Sequence, residues 1–499
     1  MADRAWRGGR AAACALALAW WAAGAMASDT APVHRPGEAA QGLAAAGELA
    51  SAAGRCCGEY GRASAASAAS ASAAQTFVLA NGLTVIVQPD RRAPTAVQML
   101  WVRVGSMDET DAEAGVAHVL EHMMFKGTPS VPEGEYSRRI AALGGRDNAF
   151  TSRDVTAYHV QLPAAQLRQA MALEADRFAH NAWSAETLAR ELDVIREERR
   201  QRIEDEPSAQ LFEQFQATAW LVHPYRRPVI GWMSSLQGMQ AHTVRDFRQR
   251  WYVPGNAALV VVGDVDVQQV RQWAEATFGA LPARVVPPRT PLVEPEQRGM
   301  RRVEWRSRVP QPTLLMGWPV PRLDAPDADT PEARDALALL LLAGVLDGHA
   351  AARLGRALVQ GQDGARLADS VSVSYGLAGR GPQQFMLAAT VRPGVSVPQV
   401  EQALRAQIER IARDGVSDAE LRRVRNQWAA SEVFQRDSLF AQARELGMHW
   451  ALGWPLDANE RLLQRLAAIT PADVQRVAVR YFGDDTLTVA VMRPQEEAR

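Results

Sequence analysis

The chain contains very little cysteine, three residues among 499. Cys14 lies in an apolar run near the start of the chain, and the other two, Cys56 and Cys57, are neighbours. Adjacent cysteines can bridge each other only with strain. Their surroundings are rich in alanine, glycine and serine. The sequence therefore argues against a structural disulfide and gives no support for a catalytic thiol.

The chain also lacks an excess of charge of either sign, with a formal net charge of −1 at pH 7. Proteins that bind nucleic acid or anionic membranes usually carry a basic patch. We therefore expect no nucleic-acid partner. The 47% hydrophobic and 22% charged residues are typical of a soluble globular protein. The length suits two domains of about 200 residues each, plus appendages.

Long hydrophobic runs are absent except at residues 11–23, where Ala, Leu and Trp predominate. Three arginines precede this run, and the small-residue triplet Ala25-Met26-Ala27 follows it, a pattern typical of a secretory signal peptide. We therefore predict that residues 1–27 are removed, leaving a periplasmic or secreted product without a stable membrane span. An uncleaved membrane anchor is the alternative.

Two domains of similar fold are predicted after this segment. Residues 28–75 are rich in Ala, Ser and Gly and predict a disordered spacer. Residues 76–283 form the first predicted domain, residues 284–297 a proline-rich linker, and residues 298–494 the second domain. Strand patterns open each domain, as in FVLANGLTVIVQPD and PTLLMGWPV, and residues 112–202 are predicted to be mostly helical.

The two predicted domains share an order of motifs. Ser184 and Ser417 each open a predicted helix as an N-cap. Near the end of each domain, a helix that starts at Thr243 or Thr470 leads into a valine-rich strand, ALVVVG or LTVAVM. These matches in the same order predict an α+β fold of two homologous α/β-sandwich domains that arose by duplication.

The segment AEAGVAHVLEHMMFKGT, residues 112–128, predicts a metal-binding helix. His118 and His122 are four residues apart, so they share one helix face and can bind one tetrahedral ion. Glu121 lies next to His122, close enough to act on water as a catalytic base without being a ligand. Two solvated histidines are the alternative. That alternative fits an apolar, buried helix poorly, because a buried His or Glu needs partners.

A catalytic zinc ion needs a third protein ligand. The acidic helix SAETLARELDVIREERRQRIEDE offers Glu191, Glu197 and Glu198 as candidates. Glu191 and Glu198 are two helical turns apart and could point into one site. A glutamate- and arginine-rich helix is, however, often simply solvated, and its composition alone leaves the third ligand undecided.

Together these motifs resemble the pitrilysin/insulinase family of inverted-motif zinc peptidases, which includes the β subunit of mitochondrial processing peptidase and bacterial relatives. The resemblance extends over residues 76–494 and implies a duplicated half-chamber with one Zn²⁺ per chain. The family's ligand glutamate follows its HxxEH motif by a spacing that selects Glu198, and Glu191 matches the glutamate that supports the site. GGRDNAFTSRDVTAYHVQLP resembles the family's active-site edge strand, so Asn148, Ala149 and Phe150 would bind an extended peptide.

The second domain departs from the family pattern. Single-chain-competent members carry an Arg and a Tyr seven residues apart, which help to bind substrate, whereas Gln362 and Asp369 occupy those positions here. Arg366 and Tyr375 are present, but nine apart and out of register. This domain also lacks the metal motif and is expected to be inactive. The resemblance therefore implies a heterodimer with a homologous, zinc-free subunit that bears the Arg/Tyr pair.

We therefore predict a zinc metalloendopeptidase that hydrolyses peptides or unfolded polypeptide segments. A catalytically idle structural or assembly subunit of the same fold is the main alternative. A zinc-binding protein without peptidase activity is a second alternative. Such a protein would not need a catalytic base at Glu121.

Overall fold

A computed structural model describes residues 73–362 and 364–495. The predicted signal peptide, both neighbouring cysteines and all but the last three residues of the predicted spacer lie outside the described residues. Within them the chain builds two mixed β-sheets, each backed by helices, with a separate hydrophobic core for each half. The predicted α+β fold of two homologous halves is confirmed.

The first half contains a six-stranded sheet whose strand order is β1-β2-β6-β3-β5-β4. Its strands are β1 (Gln75–Val78), β2 (Thr84–Pro89), β3 (Thr95–Val102), β4 (Arg146–Thr151), β5 (Thr156–Pro163) and β6 (Ala257–Gly263). Its helices are α1 (Val116–Met123), α2 (Glu135–Ala142), α3 (Leu167–His180), α4 (Ala185–Arg199), α5 (Pro207–Ala219), α6 (Met233–Gly238), α7 (Ala241–Trp251) and α8 (Val267–Thr277).

The second half contains a five-stranded sheet whose strand order is β7-β11-β8-β10-β9. Its strands are β7 (Arg301–Ser307), β8 (Thr313–Val320), β9 (Ala368–Tyr375), β10 (Gln383–Val391) and β11 (Thr488–Pro494). Its helices are α9 (Pro331–Asp347), α10 (Val397–Asp414), α11 (Asp418–Gln435), α12 (Leu439–Leu452), α13 (Ala458–Ala468) and α14 (Pro471–Arg480).

The two sheets have the same topology apart from the extra strand β1. In each sheet one pair of neighbouring strands is parallel, β6 with β2 and β11 with β7, and every other pairing is antiparallel. Both predicted N-caps also form: the Ser184 and Ser417 side chains accept hydrogen bonds from the N–H groups three residues on. This agreement supports the predicted duplication.

The two halves exchange one helix each. The central strands of both sheets are buried on both faces, so each sheet needs a second cover. Helix α12 of the second half covers the first sheet, with Ala443 and Leu446 against Met99 and Trp101. Helix α5 of the first half covers the second sheet in the same way, with Leu211 and Phe215 packed near β8 and β11.

One element differs from the pattern-based expectation. Residues 112–202 were predicted to be mostly helical, but the antiparallel hairpin of β4 and β5 interrupts the helices. This hairpin contains the segment that resembles the family's active-site edge strand. The stretch predicted as a linker, residues 284–297, contains neither helix nor strand. The domain boundaries themselves stay a prediction.

Helices long and apolar enough to cross a membrane are absent from the part of the chain that the structure describes.

Candidate metal centre

Helix α1 is fixed at its start by a buried carboxylate. Glu109 accepts hydrogen bonds from the N–H groups of Gly115 and Ala117, both at 2.9 Å, and so occupies the end of the helix where N–H groups lack partners. Gly115 has a φ of 97°, and a Cβ there would lie 2.7 Å from the carbonyl oxygen of Ile230. The entry into α1 therefore requires glycine, and it sets the direction in which the helix presents its side chains.

Helix α1 brings the two predicted histidine ligands together. The ring centroids of His118 and His122 are 4.7 Å apart. His118 is only 1% exposed, and neither of its ring nitrogens has a hydrogen-bond partner in the described part of the chain. Burial lowers the pKa of His118 to about 3, so its imidazole is neutral and offers a lone pair.

Helix α4 supplies a third group. Glu198 Oε2 lies 3.4 Å from His122 Nε2 and 3.8 Å from His118 Nε2. One ligand atom from each of these three residues lies within 4.8 Å of the others. No other set of three or more His, Cys, Asp and Glu side chains within the described ranges meets in this way. Burial raises the pKa of Glu198, but the two histidines and Arg202 outweigh this effect, and the pKa is lowered overall.

The other two candidate glutamates occupy different positions. Glu197 faces solvent and pairs with Arg200 at 2.9 Å. Glu191 lies behind the site, with Oε1 2.9 Å from His122 Nδ1 and Oε2 2.6 Å from Lys126 Nζ. The pKa of Glu191 is lowered by these two partners against the effect of burial, so the carboxylate accepts the His122 Nδ1 proton. The Nε2 atom of His122 is thereby directed toward Glu198.

These residues fit a zinc ion. Two imidazole nitrogens and one carboxylate oxygen are a donor set typical of catalytic zinc, which leaves a fourth position for water or substrate. The unpartnered nitrogens of His118 support the same assignment, because buried polar groups without partners are rare and costly. Burial lowers the pKa of His122, but hydrogen bonds to Glu191 and Glu198 raise it to about 9. A metal ion would therefore displace a proton from Nε2 when it binds.

Glu121 lies on α1 beside the ligand atoms and is only 4% exposed. Burial raises the pKa of its carboxyl group to about 7, although His122 and a hydrogen bond from Thr151 both lower it. A carboxyl group with a pKa near neutrality is suited to accept a proton and then release it. Glu121 is thus a buried carboxyl group on the same helix as both histidines.

The three predicted substrate-binding residues lie on β4, an edge strand of the first sheet. The side chains of Ala149 and Phe150 are buried, and the Phe150 ring packs edge-on against Trp101 at 5.5 Å. Asn148 is half-buried, and its Oδ1 atom accepts a hydrogen bond from the Ala149 N–H group. The side chains of Ala149 and Phe150 therefore belong to the packed interior.

Three residues around the site were not predicted from the sequence. Each contacts one carboxylate of the site: Arg202 contacts Glu198, Lys126 contacts Glu191, and Thr151 contacts Glu121. Arg202 Nε lies 3.1 Å from Glu198 Oε1. The two residues are four apart in the sequence, and this helical spacing could have suggested the pair. Lys126 and Thr151 meet their carboxylates from distant parts of the sequence, and no local signal predicts these contacts.

The positions of the family's Arg/Tyr pair carry other contacts in the second half. Gln362 Oε1 accepts a hydrogen bond from Arg356 Nε at 2.6 Å, and Asp369 Oδ2 accepts one from Gln311 Nε2 at 2.6 Å. Tyr375 is a core residue whose hydroxyl group donates to the carbonyl oxygen of Pro321. It therefore cannot replace the missing tyrosine.

Two family profiles match the chain. The profile described as "Insulinase (Peptidase family M16)" matches residues 84–232, and the one described as "Peptidase M16 inactive domain" matches residues 239–428. The chain belongs to the insulinase family of peptidases, family M16. The resemblance to pitrilysin/insulinase peptidases that the sequence predicts is thereby confirmed.

Individual proteins are similar over most of the chain. Zinc protease PqqE of Helicobacter pylori is 28% identical, over 84% of this chain and 93% of its own length. A probable mitochondrial-processing peptidase subunit beta of Arabidopsis thaliana is 24% identical, over 86% of this chain and 80% of its own length. The crystal structure of a protease from Helicobacter pylori matches with a TM-score of 0.78 at 26% identity, covering 85% of this chain and 100% of that one.

Proposed function

We propose that this M16 family chain is a zinc-dependent endopeptidase whose zinc ligands are His118, His122 and Glu198. The observation that carries the proposal is the meeting of their ligand atoms within 4.8 Å, beside the buried carboxyl group of Glu121. When bound, zinc would supply a Lewis acid that polarises a peptide carbonyl group and makes water nucleophilic near neutral pH.

The chain's own residues would carry the proton and hold the site in place. Glu121 would accept a proton from the attacking water and pass it to the nitrogen of the leaving amine. Glu191 would orient the His122 ring through the contact at Nδ1, as carboxylates commonly do for metal-binding histidines.

The substrate would be an extended segment of a peptide or unfolded polypeptide. An edge strand such as β4 can pair with such a segment through its backbone groups, so recognition would not demand one side-chain sequence. Export, which the N-terminal residues predict, would bring the enzyme to periplasmic or extracellular peptides.

A homologous, zinc-free subunit that bears the Arg/Tyr pair would complete the enzyme as a heterodimer. Gln362 and Asp369 are engaged in surface hydrogen bonds and cannot supply the missing groups. One relative is itself named a subunit beta of a processing peptidase. The chain alone is then expected to cleave slowly and to gain activity when such a subunit is added.

The proposed function is tested by cleavage of a quenched peptide together with zinc content. The Glu121→Gln variant keeps the shape of the side chain but cannot accept the proton, so turnover should fall by at least about a hundredfold. Zinc content should stay at the wild-type level, because Glu121 is not a ligand. Cleavage at the wild-type rate by this variant would reject Glu121 as the base.

The same assay separates the competing functions. A wild-type chain that binds zinc but never cleaves, alone or with a homologous Arg/Tyr subunit, would be a structural subunit or a zinc-binding protein instead. Full activity of a demonstrated monomer would reject the heterodimer and leave the peptidase assignment intact.

A further inference from the structure

The carboxylate proposed as the base is held by a hydroxyl group from another element. Thr151 Oγ1 lies 2.5 Å from Glu121 Oε2. Thr151 is only 2% exposed, so water does not compete readily for this contact. Because α1 is fixed at its start by Glu109, the remaining freedom of Glu121 lies in its side-chain torsions. The Thr151 hydroxyl group restricts those torsions.

The neighbouring hydroxyl groups determine where the Thr151 proton lies. Thr156 Oγ1 is 3.4 Å from Thr151 Oγ1, but its own proton is donated to the carbonyl oxygen of Val104 at 3.0 Å. Thr156 therefore cannot donate to Thr151 as well. The Thr151 hydroxyl proton has a nearer and more basic acceptor in the Glu121 carboxylate, and a hydrogen bond to a charged group is shorter and stronger than one between neutral groups.

Thr151 is also the last residue of β4. Side chains alternate along a strand, so Thr151 shares the face of Ala149, which packs in the same core as the apolar residues of α1. Phe150 points to the opposite face and is packed on Trp101 below α12. The strand is thus held from both sides, and its position sets the position of the Thr151 hydroxyl group.

We propose that Thr151 is a positioning residue that orients the Glu121 carboxylate through its hydroxyl group and links the base to the strand on which the peptide would bind. This inference rests on the proposed peptidase function and on Glu121 as its base. A peptide that pairs with β4 adds hydrogen bonds to the strand that carries Thr151. Strand β4 would therefore both bind the peptide and, through Thr151, orient the carboxylate of Glu121.

The experiment compares Thr151→Val with Thr151→Ser in the quenched-peptide assay, with the partner subunit present if activity requires it. Valine has nearly the shape of threonine but no hydroxyl group, whereas serine keeps the hydroxyl group. For Thr151→Val we expect kcat to fall at least tenfold, with KM and zinc content within about twofold of wild type. Thr151→Ser should recover most of the lost kcat.

A matched control is Thr390→Val on β10 of the second half. Its hydroxyl group accepts a hydrogen bond from Ser370 Oγ at 3.0 Å, far from the proposed ligands in sequence and on the other sheet. This variant should keep the wild-type kcat. Circular dichroism and thermal unfolding of all three variants establish that they are folded.

Three results would overturn the role of Thr151. They are a wild-type kcat for Thr151→Val, equal losses for the valine and serine variants, and a loss of kcat that only follows a loss of zinc. Absence of zinc-dependent cleavage by the wild-type protein would reject the proposed function and this inference with it. The two failures are therefore distinguishable.

Discussion

Single residues behind the candidate zinc ligands determine how the carboxylates point. Glu198 turns Oε2 toward the two histidines while Oε1 contacts Arg202, and Glu191 divides its oxygens in the same way between His122 and Lys126. Such outer partners fix a ligand's rotamer and charge and commonly contribute to metal affinity. The site is thus built from pairs in which a cation or a hydroxyl group holds each carboxylate.

Removal of Arg202 should weaken zinc binding. In Arg202→Ala the carboxylate of Glu198 loses the partner that directs Oε2 toward the histidines, so zinc affinity should fall about 10- to 100-fold. Competition with a chelator of known affinity measures the change. Arg200→Ala is the matched control, because Arg200 lies two positions before Arg202 but pairs with solvent-exposed Glu197. Equal affinities of the two variants would contradict the role of Arg202.

For single residues, the sequence predicts which side chains come together when they lie within one or two turns of the same helix. The spacing of His118, Glu121 and His122 places them on neighbouring faces of one helix, and the structure brings them together. Glu198 lies on a different helix, so its choice over Glu197 required the family spacing. Thr151 approaches from a strand and carries no motif of its own, and its contact depends on how the sheet packs on α1.

Among the helices and strands, the exchanged helix α12 packs directly on the first sheet. Gly447 lies in the middle of α12, and a Cβ there would clash with the indole of Trp101, a fully buried residue of β3. The exchanged helix α5 has a similar contact, where a Cβ at Gly317 of β8 would clash with Phe215. At both interfaces glycine accommodates a large aromatic side chain.

The variant Gly447→Ala should therefore lower stability. Alanine favours a helix over glycine by about 1 kcal/mol, but forcing a methyl group into a packed core costs about 1–3 kcal/mol, and the Trp101 ring has no space to move. We expect a net loss of up to about 2 kcal/mol in the free energy of unfolding, measured by denaturant unfolding. Gly238→Ala at the end of α6 is the control, since a Cβ there meets nothing within 4 Å. A Gly447→Ala protein as stable as this control would contradict the packing described.

The positions of the helices could be predicted from local sequence signals more readily than the packing of helices α5 and α12 on the two sheets. Ser184 and Ser417, both predicted as N-caps, each open a helix in the structure, α4 and α11. The hairpin of β4 and β5 did not follow from periodicity, because its strands mix charged and apolar residues without a clean alternation. Its resemblance to the family edge strand was the better guide.

Across the whole molecule, a buried ion pair joins the halves beside the exchanged helices. The side chain of Asp108 in the first half is only 2% exposed, and it accepts two hydrogen bonds of 2.8 Å from Arg380 of the second half. Arg289, in the segment that connects the halves, donates a third at 2.6 Å. Together with the helix exchange, this pair makes the two halves one unit.

Breaking that pair should destabilise the whole chain. In Arg380→Gln the carboxylate of Asp108 keeps Arg289 as its remaining charged partner, together with the Gly105 N–H group. Loss of one partner of a buried ion pair costs about 3 kcal/mol. Arg298→Gln removes an exposed partner of Glu296 and should cost less than about 1 kcal/mol. Unfolding followed by fluorescence and by circular dichroism compares the two. Similar midpoints for both variants would show that Asp108 is not a structural link.

The sequence could not predict the exchange of helices between halves. Its repeated order of strands and helices describes each half alone, and the apolar faces of α5 and α12 are compatible with either sheet. Which sheet each helix covers depends on the shape of both halves when they pack together. This arrangement, like the Thr151 contact, becomes visible only in the structure.

The most direct test of the central claim is zinc stoichiometry after dialysis against a weak chelator. The wild-type chain should retain about one zinc ion, and Glu198→Gln should retain far less, because an amide is a poor replacement for a ligand carboxylate. Glu197→Gln, one residue away and facing solvent, should match the wild type. Full zinc occupancy in Glu198→Gln, or its loss in Glu197→Gln, would contradict the assignment of His118, His122 and Glu198 as the metal site.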